Sequence, residues 1–161
     1  MATSTPDIRK GALAGLAAGL VASLAMDGFQ RLFSSPKGMP ATEKAAERIG
    51  EAVTGDAPGR ESRKAGASLI HYATGIGIGI AYGIAAEFAP EVTKGGGTAF
   101  SSGVAGLLDE GAVPALRLGP APWDTDAETH AFGLTSHLVF GVVAEGTRRA
   151  ARALADRALD T

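Results

Sequence analysis

Long runs of apolar residues without charge constrain this chain more than any other feature. From Gly11 to Ala25 every residue except Ser23 is Gly, Ala, Leu or Val, and the helical pattern extends through Asp27 to Phe33. A helix rises 1.5 Å per residue, so roughly 20 residues cross the ~30 Å hydrocarbon core of a bilayer. Three further apolar segments follow, at Gly66–Ala89, Thr98–Leu118 and from His130 to about residue 147. The repeat Gly75-Ile76-Gly77-Ile78-Gly79-Ile80 also alternates with period two, as a strand would. The Gly66–Ala89 run is too long for an ordinary strand, so helix is the reading. The expectation is an all-α membrane protein with four transmembrane helices, spanning about 11–33, 66–89, 98–118 and 130–147.

The connections differ in composition. Within 41–53, Ala45, Ile49, Ala52 and Val53 fall on one helical face and Glu43, Lys44, Glu47, Arg48 and Glu51 on the other, with Thr42 as a cap. This predicts a short interfacial amphipathic helix between the first and second spans, lying on the membrane surface. Packing against its own domain is the other reading. Trp123 sits in the Pro-rich loop Gly119–Asp126 and suits a membrane–water anchor. Residues 1–10 read as a flexible tail, 11–150 as the membrane domain and 151–161 as an Arg-rich tail. A rival reading makes Arg9-Lys10 and the first apolar run a signal peptide cleaved after Ser23-Leu24-Ala25. The four-residue spacing of Gly11, Gly15 and Gly19 favours a retained packing helix. With four spans both ends lie on one side. Lys and Arg divide seven against eight between the two sides, and the Arg148-Arg149 pair abutting the last span points to ends inside.

Composition removes several function classes. The chain has 161 residues, a size for one domain, with 15 Lys plus Arg against 17 Asp plus Glu. That balance lacks the basic stripe of a nucleic-acid binder, so no nucleic-acid partner is expected. Cysteine is absent, which excludes disulfides, Cys-based zinc sites, iron–sulfur clusters and thiol catalysis. His130 and His137 share a helical face but stand ~10.5 Å apart along the axis, too far for one metal. Ser136 and His137 are sequence neighbours on different faces, not a nucleophile–base pair. No enzyme activity, cofactor or metal is expected. The bilayer is the expected partner, in a bacterial inner membrane.

Two residue classes stand out inside the spans. Glycine, at 23 of 161, is about twice its usual ~7% share. Gly11, Gly15 and Gly19 form one stripe, Gly75, Gly79 and Gly83 a second, and Gly133 and Gly141 flank His137 in the last span. Such stripes let helix backbones touch, within one chain or across a homo-oligomer. The second class is ionisable: Asp27, His71, Asp109, Glu110 and His137 lie at membrane depth, where a carboxylate costs roughly 2.5–3.5 kcal/mol on insertion scales. These are the polar-core candidates. Pro114 denies a hydrogen bond to the carbonyl of Glu110, so a kink is expected beside the two acids. Asp109 and Glu110, as helical neighbours, diverge by ~100° and are expected to point apart. Glu87 and Glu145, near span ends, are expected to reach the headgroups.

His71-Tyr72, Ala81-Tyr82-Gly83, Ala86-Glu87, Pro90, Asp109-Glu110, Pro114-Ala115-Leu116, Ser136-His137-Leu138, and Glu145 with Arg148-Arg149 occur in an order that resembles the YagU-like family of small bacterial inner-membrane proteins. Met26-Asp27-Gly28-Phe29-Gln30 is similar to that family's first helix end. Where some members carry Pro-Pro-Arg after the first span, this chain has Ser35-Pro36-Lys37. The resemblance implies a membrane protein without an established activity, linked in one branch to acid tolerance. The functional expectation is a proton-responsive or ion-conducting membrane protein acting in acid or envelope stress. The alternative is a non-catalytic scaffold or accessory subunit packed through its glycine stripes.

Overall fold

A computed structural model of the chain describes residues 5–33 and 38–159, and all regular structure among them is helical. The Ser35-Pro36-Lys37 departure lies outside the described residues. The elements are α1 (Ile8–Phe33), α2 (Ala41–Thr54), α3 (Arg60–Phe88), a 3-10 segment (Pro90–Gly97), α4 (Thr98–Leu107), a π turn (Leu108–Ala112), the short α5 (Val113–Ala115), a 3-10 turn (Pro122–Asp124) and α6 (Ala127–Leu159). Two helix starts are capped by aspartates. Asp7 Oδ1 accepts the backbone N–H groups of Arg9 and Lys10 at 2.8 and 3.1 Å, and Asp126 Oδ1 accepts that of Thr129 at 3.0 Å.

Helix α1 is the central member and packs on both α3 and α6, which run antiparallel to it. The α1–α3 crossing is built from glycine. A Cβ on Gly15 would collide with the Gly79 carbonyl, one on Gly19 would lie 2.8 Å from Ile76 Cα, and one on Gly83 would lie 2.7 Å from Gly15 Cα. Each four-residue step up one helix meets a four-residue step down the other. On the neighbouring stripe of the same buried side of α1, Ala18, Ala22 and Met26 bury against Phe140 and Ala144 of α6. A third close approach joins α4 to α6, where a Cβ on Gly141 would meet Ser101 and the Gly97 carbonyl. Gly95, Gly96 and Gly97 all have positive φ, which L side chains adopt at a cost, and they reverse the chain between α3 and α4.

Two of the four expected spans keep their form: α1 and α3 are long and apolar enough to cross a membrane. The other two differ. The third is a helical run from Thr98 to Ala115 that is interrupted by a π turn after the ten residues of α4. The π turn carries Asp109 and Glu110, and the chain leaves the helix after Ala115, just past Pro114. The fourth becomes a 33-residue helix, α6, in which His130, His137 and Glu145 dilute the apolar run. This helix also takes in residues 151–159 of the expected tail. Helix α2 matches its expected position and docks on α3: Arg63 Nε lies 3.2 Å from Glu43 Oε2, and a Cβ on Gly66 would meet Ala46 Cβ at 2.9 Å. Its Ile49 and Val53 remain exposed, Val53 at 78%.

The crossing makes a differential prediction. Gly79→Leu forces side-chain atoms between two touching backbones and is expected to cost about 1–3 kcal/mol. Gly77, one residue pair away on α3, has nothing within 4 Å of a built Cβ. Thermal unfolding in detergent should therefore separate Gly79→Leu from a nearly neutral Gly77→Leu; equal effects would remove the close crossing.

Candidate functional site

Helices α1, α3 and α6 and the α4–α5 segment line a cavity of about 410 Å³ that is open on one side, with α2 along one edge. Its walls are mostly apolar, from Met26, Ile70, Ile78, Val104, Leu108 and Phe140. Three ionisable side chains from three different elements line it: His71 of α3, Asp109 of the π turn and His137 of α6. His137 Nε2 stands 3.2 Å from Asp109 Oδ2. The His137 side chain is almost buried, whereas that of Asp109 is 41% exposed. His71 Nε2 lies 3.4 Å from the Ser23 carbonyl oxygen of α1. Ser23 Oγ, also at the cavity wall, is buried without a hydrogen-bond partner and pressed against Gly75.

The local backbone explains how Asp109 reaches its partner. A π turn widens the helix by one residue and is a frequent feature of functional sites. Here it places both acids toward α6, contrary to the expectation that they point apart. Asp109 meets His137, and Glu110 Oε1 meets His130 Nδ1 at 2.7 Å. The seven-residue spacing of the histidines thus receives two adjacent acids, two turns apart along α6. His130 Nε2 also lies 3.0 Å from the Pro122 carbonyl oxygen, tying the start of α6 to the preceding loop.

The remaining sequence candidates lie elsewhere. Asp27 pairs with Arg31 at 2.7 Å and accepts the Tyr72 hydroxyl at 3.1 Å. Gly133 lies beside the Asp109 carboxylate, 3.1 Å from a built Cβ. Ser136 Oγ donates to the Phe132 carbonyl one turn back on its own helix. Among the described residues no group of three or more His, Asp or Glu is placed to hold a metal ion.

Glu87 and Glu145, expected at the headgroups, instead turn their side chains into the bundle where α1 begins and α6 ends, Glu87 with a side chain 6% exposed. Glu145 is 3% exposed. It accepts the Tyr82 hydroxyl at 2.7 Å and the guanidinium groups of Arg148 at 2.7 and 2.9 Å and of Arg149 at 2.6 Å. Glu87 accepts Arg152 at 2.8 Å and the backbone N–H of Asp7 at 3.0 Å. Arg152 also pairs with Asp156, which Lys10 reaches at 2.9 Å. Burying a carboxylate is tolerable only when its oxygens are satisfied in this way. The spacing of Arg148 and Arg149 three and four residues after Glu145 is a legible helical ion-pair pattern. Nothing local connects Glu145 to Tyr82 or Glu87 to Arg152.

The Lys10 and Arg152 side chains hold the Asp156 carboxyl below its usual value near 3.8. The unfolded chain then binds a proton more readily than the folded one. The pair's contribution is present above the unfolded value and is lost as pH falls through the lower folded one. Unfolding midpoints measured from pH 6 down to pH 2 should fall less steeply for Asp156→Asn than for the wild type, and superimposable profiles would show that the carboxylate contributes nothing.

A family model described as "Protein of unknown function (DUF1440)" matches residues 60–146, just over half of the chain. His71, Asp109 and His137 all fall within the matched segment, and α1 falls outside it. No curated protein and no solved structure matches the chain.

Proposed function

We propose a function from the premise that this chain belongs to the DUF1440 family, whose description assigns none: it is a proton-responsive integral membrane protein, with the cavity as its polar site. The YagU-like resemblance, a multi-pass placement in the bacterial inner membrane and a role in acid or envelope stress belong to the same proposal. The observation that carries it is the convergence of His71, Asp109 and His137 on one mostly apolar cavity. Imidazole is the side-chain type that changes charge between about pH 5 and 8. A histidine paired with a carboxylate inside a helical bundle couples that change to helix contacts, here between α6 and the π turn.

The membrane placement has its own support. In the most apolar stretches of α1 and α3, 39% and 22% of the residues are buried, whereas the core helix of a water-soluble protein would be mostly buried. The exposed mid-helix positions of α1 are all leucine or valine, Leu13, Leu16, Leu20, Val21 and Leu24, whereas on α3 and α6 Leu69, Leu134 and Val142 alternate with small or polar residues such as Ala73, Thr74, Gly77 and Thr135. An exposed stripe of this kind along α1 suits a lipid-facing surface. In this arrangement α6, beside α1, and the α4–α5 segment, packed on α6, are the other two of four spans. Exposed Ile49 and Val53 of α2 and Trp123, 85% exposed, suit the interface.

Two measurements test the reading. Alkaline carbonate washing should leave the protein in the membrane pellet, and recovery as a monodisperse soluble protein without detergent would end the membrane proposal. In proteoliposomes an acid-side pH step should produce proton or cation flux that Asp109→Asn abolishes and His137→Gln shifts along the pH axis. Identical flux in all three proteins would detach the cavity from the response. Detergent-stable homo-oligomers without flux would favour the scaffold reading, in which the glycine crossings are the functional surfaces.

A further inference from the structure

The ionisable residues of the cavity are unbalanced in charge. Among the described residues no Lys or Arg lines it, Asp109 is its single carboxylate, and the other two ionisable groups are imidazoles. The space, about 410 Å³, lies within the ~300–1,000 Å³ typical of small-molecule sites, and its walls are largely hydrocarbon with a few convergent polar groups. A carboxylate beside apolar walls gains most from a cation that brings its own apolar surface. Too few ligating side chains converge for a metal ion. We infer that the cavity binds a small organic monocation, an ammonium group carrying an apolar body, whose charge sits on Asp109 and whose body lies against Met26, Ile78 and Phe140.

The neighbours of His137 supply a competing cation. Asp109 faces it from the π turn at 3.2 Å, and His71 of α3 lines the same cavity. From α1 the cavity receives Ser23, Met26 and Gln30, and from α2 and the residue before it Pro40, Ala41, Thr42 and Ala45, none of which titrates near neutral pH. Glu110 is engaged by His130, and Asp27 by Arg31 and Tyr72. A proton on His137 therefore places a positive charge against the one carboxylate an organic cation would use. Proton and ligand exclude each other by occupying the same counter-charge, so acid releases the ligand and the ligand opposes protonation. This inference rests on the cavity assigned above but not on flux through it.

The test is equilibrium dialysis of the full chain in detergent with radiolabelled benzyltrimethylammonium. This probe keeps its charge at every pH, so any pH dependence belongs to the protein. Saturable binding at one site per chain is expected at pH 8, weakening at least about tenfold by pH 5 as imidazole protonates. Asp109→Asn should lower affinity at pH 8 by at least about tenfold, the effect of losing one charge-assisted contact. His137→Gln should bind at pH 8 and lose most of the pH dependence. Neither neutral benzyl alcohol nor anionic benzoate should displace the probe. Displacement by either, wild-type affinity in Asp109→Asn, or a pH dependence that survives in His137→Gln would overturn the inference. The wild-type pH and competitor arms decide it even if a variant does not fold. Probe binding without proton flux would remove the proposed function and leave the cation site; flux without probe binding would do the reverse.

Discussion

Where Gly15 and Gly19 of α1 meet Gly79 and Gly83 of α3, backbone lies directly on backbone, and much of the bundle depends on how thin α1 is there. A helix with glycine on one face and alanine on another has a small diameter. With Ala14, Ala18 and Ala22 buried on the neighbouring stripe, it lets α6 approach beside α3. Long side chains of α3 then reach α6 past it: Tyr82 to Glu145, and Glu87 to Arg152. In lipid, where burial of hydrocarbon gives helices no preference for one another, close packing and such hydrogen bonds are the main sources of cohesion. The crossing also sets the depth of Ser23 against Gly75, and with it the carbonyl near His71.

Charge is divided into two zones with different consequences. Where α1 begins and α6 ends, Glu87, Glu145 and Asp156 are matched by Arg152, Arg148, Arg149 and Lys10 in direct contacts, and Asp7 couples the start of α1 to Glu87 through its backbone. That network clamps three helices. Toward the start of α6 the pairing is through histidine, His137 with Asp109 and His130 with Glu110. An arginine pair stays charged across physiological pH, whereas an imidazole pair does not. Under the proposed function the arginine network holds the helices together and the histidine pairs carry the response to pH.

Much of this was legible in the residues, and particular departures show why the rest was not. The amphipathic helix at 41–53 and the positions of α1 and α3 follow from local periodicity and length. The break in the third segment was foreshadowed by Pro114. The π turn was not, because it depends on which register lets Asp109 reach His137 while Gly133 leaves room for the carboxylate. Glu145 and Glu87 looked like boundary residues because a carboxylate near a span end usually finds water. Here long-range partners, 63 and 65 residues away, satisfy them in the interior instead.

The sequence by itself determined that the chain is helical, that its longest apolar runs are of membrane-spanning length, and that glycines recur at one-turn intervals. These properties come from steric preference and periodicity within a few residues, which no partner needs to complete. Only the tertiary structure decided which glycine stripe faces which, that His71, Asp109 and His137 share a cavity while Asp27 and Glu110 do not, and that two terminal carboxylates are buried. Those outcomes turn on the relative rotation and register of helices far apart in the chain. That geometry is set when close backbone contact and satisfied charge are achieved together, and no local pattern records it.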